Sequence, residues 1–130
     1  MWKAFITLLL GSVFLPDAAA QRYAPGSTAA ERLQLPKYCW SLYIDEKLAK
    51  DPQYTIPPSC GIGMNHLCPG LLLLNRAGKA SDPPNVRRSN AGNALGELGY
   101  TRKAMTKDCP LRGDVEAAIG RANSILANTR

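Results

Sequence analysis

Apolar residues recur at helical spacing in four parts of this chain. The pattern predicts helices over about residues 37–49, from residue 65 or 69 to residue 80, over residues 84–105 and over residues 111–127. No part alternates apolar and polar residues for long enough to predict a strand. We therefore expect an all-α fold: a small helical-hairpin bundle of about four helices.

The most apolar stretch beyond the extreme N-terminus lies at residues 60–77, which include two of the four cysteines and the only histidine, His66. Pro69 suits the first turn of a helix, where its missing N–H needs no partner. The leucines at residues 71–74 form a band wide enough to be covered on more than one side. A second Cys-Pro pair begins the last predicted helix, at Cys109. Two of the predicted helices therefore each begin at a cysteine.

Glycine and proline divide the chain between these helices. Residues 51–64 contain several prolines and predict a long loop, which we expect Cys60 to hold in place. The third predicted helix contains Gly92, Gly96 and Gly99, and each interior glycine costs about 1 kcal/mol relative to alanine. We expect them to mark a close approach by a neighbouring helix, or a break near Gly99.

The N-terminus has the pattern of a secretory signal peptide. A lysine at position 3 precedes an apolar run at residues 4–15, and an Ala-x-Ala site ends at Ala20. The run is shorter than the roughly 18 residues of a membrane-spanning helix, although an uncleaved anchor is the alternative. We therefore predict a signal peptide at residues 1–20, a flexible arm at residues 21–36 and a single helical domain at residues 37–130. This pattern predicts export, to a bacterial periplasm or alternatively by secretion, with no transmembrane segment in the mature chain.

All four cysteines lie beyond the predicted signal peptide, and an even number in a small exported chain indicates two disulfides. The alternative, a Cys/His metal site, lacks a Cys-x-x-Cys pair. If the second and third helices run antiparallel, the end of the third lies near the start of the second. We therefore predict the pairs Cys68–Cys109 and Cys39–Cys60, with Cys60–Cys68 as the main rival.

The net charge is +6, and removing the signal peptide leaves it unchanged because that segment has one lysine and one aspartate. A positive charge favours an anionic partner, such as an envelope protein. Few aromatic residues lie among the basic ones, so we expect no nucleic-acid binding. The predicted contacts with an acidic partner are two basic doublets about four helical turns apart, Arg87-Arg88 and Arg102-Lys103. If binding proves insensitive to salt, the predicted contacts are instead Trp40 and Tyr43.

Three stretches resemble tetratricopeptide-type helical hairpins: LLLLNRA at residues 71–77, DPPN at residues 82–85 and NALGELGY at residues 93–100. In that family a helix ends in an alanine-rich turn, a proline follows, and the next helix carries Leu-Gly. The resemblance covers about residues 65–127. It implies an antiparallel helical hairpin with a protein-binding role and no catalytic residues.

Candidate chemistry is sparse. As the only histidine, His66 is the only ready general base near neutral pH, and a cysteine two residues away on a helix does not face it. We therefore predict no enzyme activity and no cofactor or metal, and a role as a small protein-binding or structural module. The alternative is a metal- or redox-active protein that uses His66 with an unpaired Cys68 or Cys109.

Overall fold

The computed structural model describes residues 26–129, and within this range the regular structure is entirely helical. The five α-helices in this range are α1 (Ala29–Leu33), α2 (Trp40–Tyr43), α3 (Leu67–Ala77), α4 (Pro84–Ala104) and α5 (Arg112–Asn128). Short 3-10 turns connect α2 to α3. The all-α prediction is confirmed. The predicted signal peptide and residues 21–25 lie outside the described residues.

The two central helices, α3 and α4, form an antiparallel hairpin. His66, just before α3, contacts Glu97 in the second half of α4. At the opposite end, the Arg87 side chain of α4 donates to the carbonyl of Ala77, the last residue of α3. Pro84 occupies the first turn of α4, where a proline is tolerated. This hairpin agrees with the predicted order and direction of the helices.

The last helix, α5, packs antiparallel to α4. Arg102 in the last turn of α4 lies beside Glu116 near the start of α5. Val115, Ala118 and Ala122 form the buried stripe of α5, at the spacing that the sequence predicts. They join one hydrophobic cluster with Leu98 of α4.

Helix α3 contributes to two hydrophobic clusters on different sides. Leu67 and Leu74, two turns apart, face the cluster shared with α4 and α5. Cys68 and Leu72, one turn apart, face a second cluster that includes Tyr43. The apolar band is therefore covered on more than one side, as its width indicates.

The structure corrects the prediction of one continuous helix over residues 37–49. A 3-10 turn at Lys37–Cys39 leads into the short helix α2, and a separate 3-10 turn follows at Glu46–Lys50. Asp45 has extended backbone angles, and its carboxylate accepts a hydrogen bond from the Lys47 N–H. An aspartate in this position begins a new helical turn and interrupts the preceding one.

The structure also differs from the expected flexible arm over residues 26–36. Thr28 and Glu31 form a reciprocal capping box that begins α1. Leu35 is buried in the second hydrophobic cluster. This part of the chain is packed against the domain.

Close helix packing occurs at Gly70 of α3, and the prediction for the α4 glycines is wrong. Among residues 26–129, no atom outside the helix backbone lies within 4 Å of the position that a Cβ would take at Gly92, Gly96 or Gly99. A Cβ at Gly70 would lie 2.9 Å from Leu98 Cγ. The glycine that permits close approach is therefore on the other helix of the hairpin.

Both disulfides exist, but the predicted pairing is wrong: the pairs are Cys39–Cys68 and Cys60–Cys109. The turn after α4 does return to the start of α3, as the antiparallel hairpin requires. In this turn, the Thr106 N–H donates to the Cys60 carbonyl. The turn therefore lies against Cys60, in the loop before α3, and not against Cys68. Cys68 lies on the side of α3 that faces Cys39.

Candidate functional site

An apolar groove of about 350 Å³ lies between α2 and the loop that precedes α3. Its apolar lining comes mainly from Leu42, Ala49, Ile56 and Met64. The remaining lining residues are small, polar or proline: Ser41, Thr55, Pro57, Pro58, Gly61 and Asn65. This volume lies in the usual range for sites that bind small molecules or individual side chains. We call this feature the loop groove.

The two disulfides hold the elements that form the loop groove. Cys39, directly before α2, is bonded to Cys68 in the first turn of α3. Cys60 lies within the groove-lining part of the loop and is bonded to Cys109 in the turn after α4. Each disulfide therefore joins an irregular segment to the helical framework, and all four cysteines are buried.

Hydrogen bonds reinforce the anchor at Cys60. The Thr106 N–H donates to the Cys60 carbonyl over 3.1 Å, and the Thr106 hydroxyl donates to the Ser59 carbonyl. Gly61 has a φ of 85°, which glycine adopts without strain. A Cβ there would lie 3.1 Å from the Thr106 methyl carbon. This wall of the groove is consequently tightly packed against the turn after α4.

The two predicted aromatic contact residues have different environments. Tyr43 is fully buried in the second hydrophobic cluster and offers no surface to a partner. Trp40 is half-buried, stacks on Tyr54 with 5.8 Å between ring centroids, and donates its indole N–H to the Leu35 carbonyl. Trp40 thus positions the start of α2 and retains an exposed edge.

The predicted basic doublets lie on α4, and their four side chains are not equally available. Arg87 donates to the carbonyl at the end of α3, and Arg102 lies 3.7 Å from Glu116. Arg88 and Lys103 are exposed. Of the four predicted contact residues, only Arg88 and Lys103 therefore lack a described partner. They lie at opposite ends of α4 and do not form one compact basic surface.

His66 forms a polar cluster with two residues of α4. Its Nδ1 lies 2.5 Å from a Glu97 carboxylate oxygen, and its ring centroid lies 4.1 Å from that of Tyr100. The side chains of His66 and Glu97 are each about one-third exposed, at 34% and 33%. The contact joins the beginning of α3 to the end of α4. His66 is also the N-cap residue of α3, although its side chain makes no capping hydrogen bond.

The alternative that requires an unpaired cysteine is not available in this structure, because Cys68 and Cys109 are both in disulfides. Within residues 26–129, no group of three or more His, Cys, Asp or Glu side chains is arranged to hold a metal ion. Within the same range, no helix is long and apolar enough to cross a membrane.

A cluster of opposite charges fixes α1 to α3. The Glu31 carboxylate accepts two hydrogen bonds from the Arg76 guanidinium and one from the Lys79 ammonium group. The hydrogen bonds from Arg76, followed by those from Lys79 and the Thr28 N–H, outweigh the effect of burial and hold the pKa of Glu31 well below its ordinary value.

Elsewhere, burial, with a smaller contribution from the Asp114 carboxylate, raises the pKa of Tyr38 to about 12.

Sequence reasoning did not identify the loop groove as a site. It indicated that residues 51–64 form a loop tied down by a cysteine, and this loop supplies Thr55, Ile56 and Gly61. It offered no reason to place Ser41 and Leu42 opposite them. Those residues belong to α2, whose position depends on the Cys39–Cys68 pairing.

Comparison of the chain with protein-family models, with curated proteins and with solved structures finds no match. The fold and the geometry of the groove are therefore the basis for assigning a function.

Proposed function

We propose that this chain is an exported protein-binding module. The observation that carries this proposal is the loop groove, whose irregular walls are joined to the helical framework by both disulfides. A binding surface that is ordered before binding loses less conformational entropy when its partner arrives. Cross-linking an otherwise irregular segment is a way to obtain such a surface in a small domain.

Three further features support a binding role rather than catalysis. All four cysteines are buried in disulfides, so their thiols are not available as nucleophiles. The single histidine makes its contacts with Glu97 and Tyr100 between two helices. The hairpin of α3 and α4 is antiparallel, as the resemblance to tetratricopeptide-type sequences implies. The same resemblance implies a protein-binding role, which we include in the proposal.

The proposed location is outside the cytoplasm, with a bacterial periplasm as the first choice and secretion as the alternative. Two disulfides fit an exported protein, because oxidising compartments preserve them. Terminal sequencing of the protein from its native host tests the export step. A mature chain that begins at Gln21 supports it, and a full-length chain recovered from the cytoplasm contradicts it.

Reconstitution tests the binding role. The oxidised mature chain is purified in native buffer from its own compartment, co-purifying proteins are identified, and each is then prepared separately. A complex of fixed stoichiometry, formed from the two pure components and measured by calorimetry, supports the proposal. Reduced and alkylated chain is the control and should bind more weakly. If none of the identified proteins forms such a complex with the oxidised chain, the proposal is wrong.

A further inference from the structure

We infer that the loop groove binds an uncharged, extended segment of a partner protein that presents aliphatic side chains. This inference rests on the proposed binding function and names the chemistry of the partner. It follows from the charge of the lining, the conformation of one wall and the rigidity of the frame.

Charge complementarity favours an uncharged occupant. The chain has 16 lysines and arginines and 10 aspartates and glutamates, but none of the ten residues that line the groove has an ionisable side chain. A charged group placed there would lose hydration without gaining a counter-ion, which is unfavourable. An anionic lipid, a nucleic acid or an acidic peptide would therefore find its counter-charges elsewhere on the surface.

The backbone of one wall favours an extended partner. Thr55 has φ −127° and ψ 151°, and Pro57 has φ −55° and ψ 133°, so this wall is extended. No described residue accepts a hydrogen bond from the Ile56 N–H or donates one to the carbonyls of Thr55 and Ile56. An extended peptide can pair with open main-chain groups of this kind while its alternate side chains enter a pocket.

The apolar part of the groove favours aliphatic side chains. Leu42, Ile56 and Met64 offer aliphatic and thioether surface, and methionine adapts its shape to different apolar partners. A volume of about 350 Å³ accommodates a few such side chains. The disulfide-bonded frame leaves this volume in place before the partner arrives.

A matched pair of substitutions tests the inference. Ala49 is exposed and lines the groove, whereas Ala80 is exposed and does not line it. Ala49→Arg adds bulk and charge to the groove, and Ala80→Arg adds the same side chain elsewhere. Because both alanines are exposed, we expect both variants to fold. Unchanged helical content and thermal unfolding should verify this for each variant.

The probes are linear peptides selected from a displayed random library against the oxidised mature chain. We expect the enriched peptides to lack charged residues across the contact stretch and to bind equally well at low and high salt. They should shift the amide resonances of Gly61 and Asn65. Ala49→Arg should weaken binding about tenfold or more, and Ala80→Arg should leave it unchanged.

Three results would overturn the inference: no enrichment, enriched acidic peptides whose affinity falls with salt, or equal binding by the two variants. Binding of the reconstituted native partner shows whether the groove assignment alone fails or the proposed binding function fails as well. If the reconstituted partner binds Ala49→Arg as well as the parent chain, the binding function stands and the groove assignment is wrong. If no partner complex forms at all, the proposed function itself fails.

Discussion

Glu31 and Arg76 join the first and third helices through two parallel hydrogen bonds, at 3.0 and 3.1 Å, between a carboxylate and a guanidinium group. The Glu31 side chain is only 11% exposed. This bidentate contact explains why α1, a helix of five residues, stays in place. A helix of that length does not persist in water by itself.

Replacing Glu31 with glutamine should weaken the attachment of α1. The glutamine side chain would be neutral and would leave the Arg76 and Lys79 charges without their counter-ion. Hydrogen bonds to charged groups contribute about 1.5–3 kcal/mol each, so we expect Glu31→Gln to lower the free energy of unfolding by about 2 kcal/mol. Denaturant unfolding measures this. Glu46→Gln, at an exposed position, is the control and should change little; equal effects would contradict the prediction.

The same carboxylate should make the protein sensitive to acid. The pKa of Glu31 in the folded state is below its ordinary value of 4.5, so its ionised form favours folding. Its contribution is complete above pH 4.5 and decreases as the pH falls towards the folded-state pKa. The stability difference between the parent chain and Glu31→Gln should therefore shrink in acid. Unfolding curves at neutral and acidic pH test this, and a constant difference would show that the carboxylate is not responsible.

The two disulfides should contribute similar amounts to stability and have different local effects. Their sequence separations are 29 and 49 residues, for which chain entropy predicts about 4 kcal/mol each if the bonds are unstrained. Replacing Cys60 and Cys109 with alanine should also free the groove wall at Gly61. Replacing Cys39 and Cys68 should instead loosen α2. Hydrogen exchange measured on both double variants distinguishes the two patterns, and identical exchange profiles would contradict this assignment.

Alanine should have opposite effects at two helix glycines. Gly70→Ala places a methyl group 2.9 Å from Leu98 Cγ and should cost about 1–3 kcal/mol through overpacking. Gly96→Ala meets no atom of the described residues within 4 Å. It should stabilise the chain by about 0.5–1 kcal/mol, because alanine lowers the backbone entropy of the unfolded state. Thermal unfolding of the two variants provides the comparison. Stabilisation by both would mean that the helices at Gly70 are less closely packed than the structure indicates.

The sequence indicated one wall of the loop groove, but it did not indicate that a groove forms there. The proline-rich composition of residues 51–64, with Cys60 near their end, predicted a constrained loop, and this loop forms one wall of the groove. The aromatic character of Trp40 and Tyr43 predicts that they can contact a partner. Their accessibility depends on what covers them, and Tyr43 proved to be fully buried.

By itself, the sequence determined the helices α3, α4 and α5, because an amphipathic helix leaves a periodic record in consecutive residues. It also determined that the cysteines form disulfides. The tertiary structure decided which cysteines pair, because Cys60 lies against the turn after α4 and bonds Cys109, whereas Cys68 lies on the side of α3 that faces Cys39. It likewise decided which glycine permits close packing, at Gly70, and it docked α1 through Glu31. These outcomes depend on contacts between residues far apart in the chain, which local periodicity does not encode.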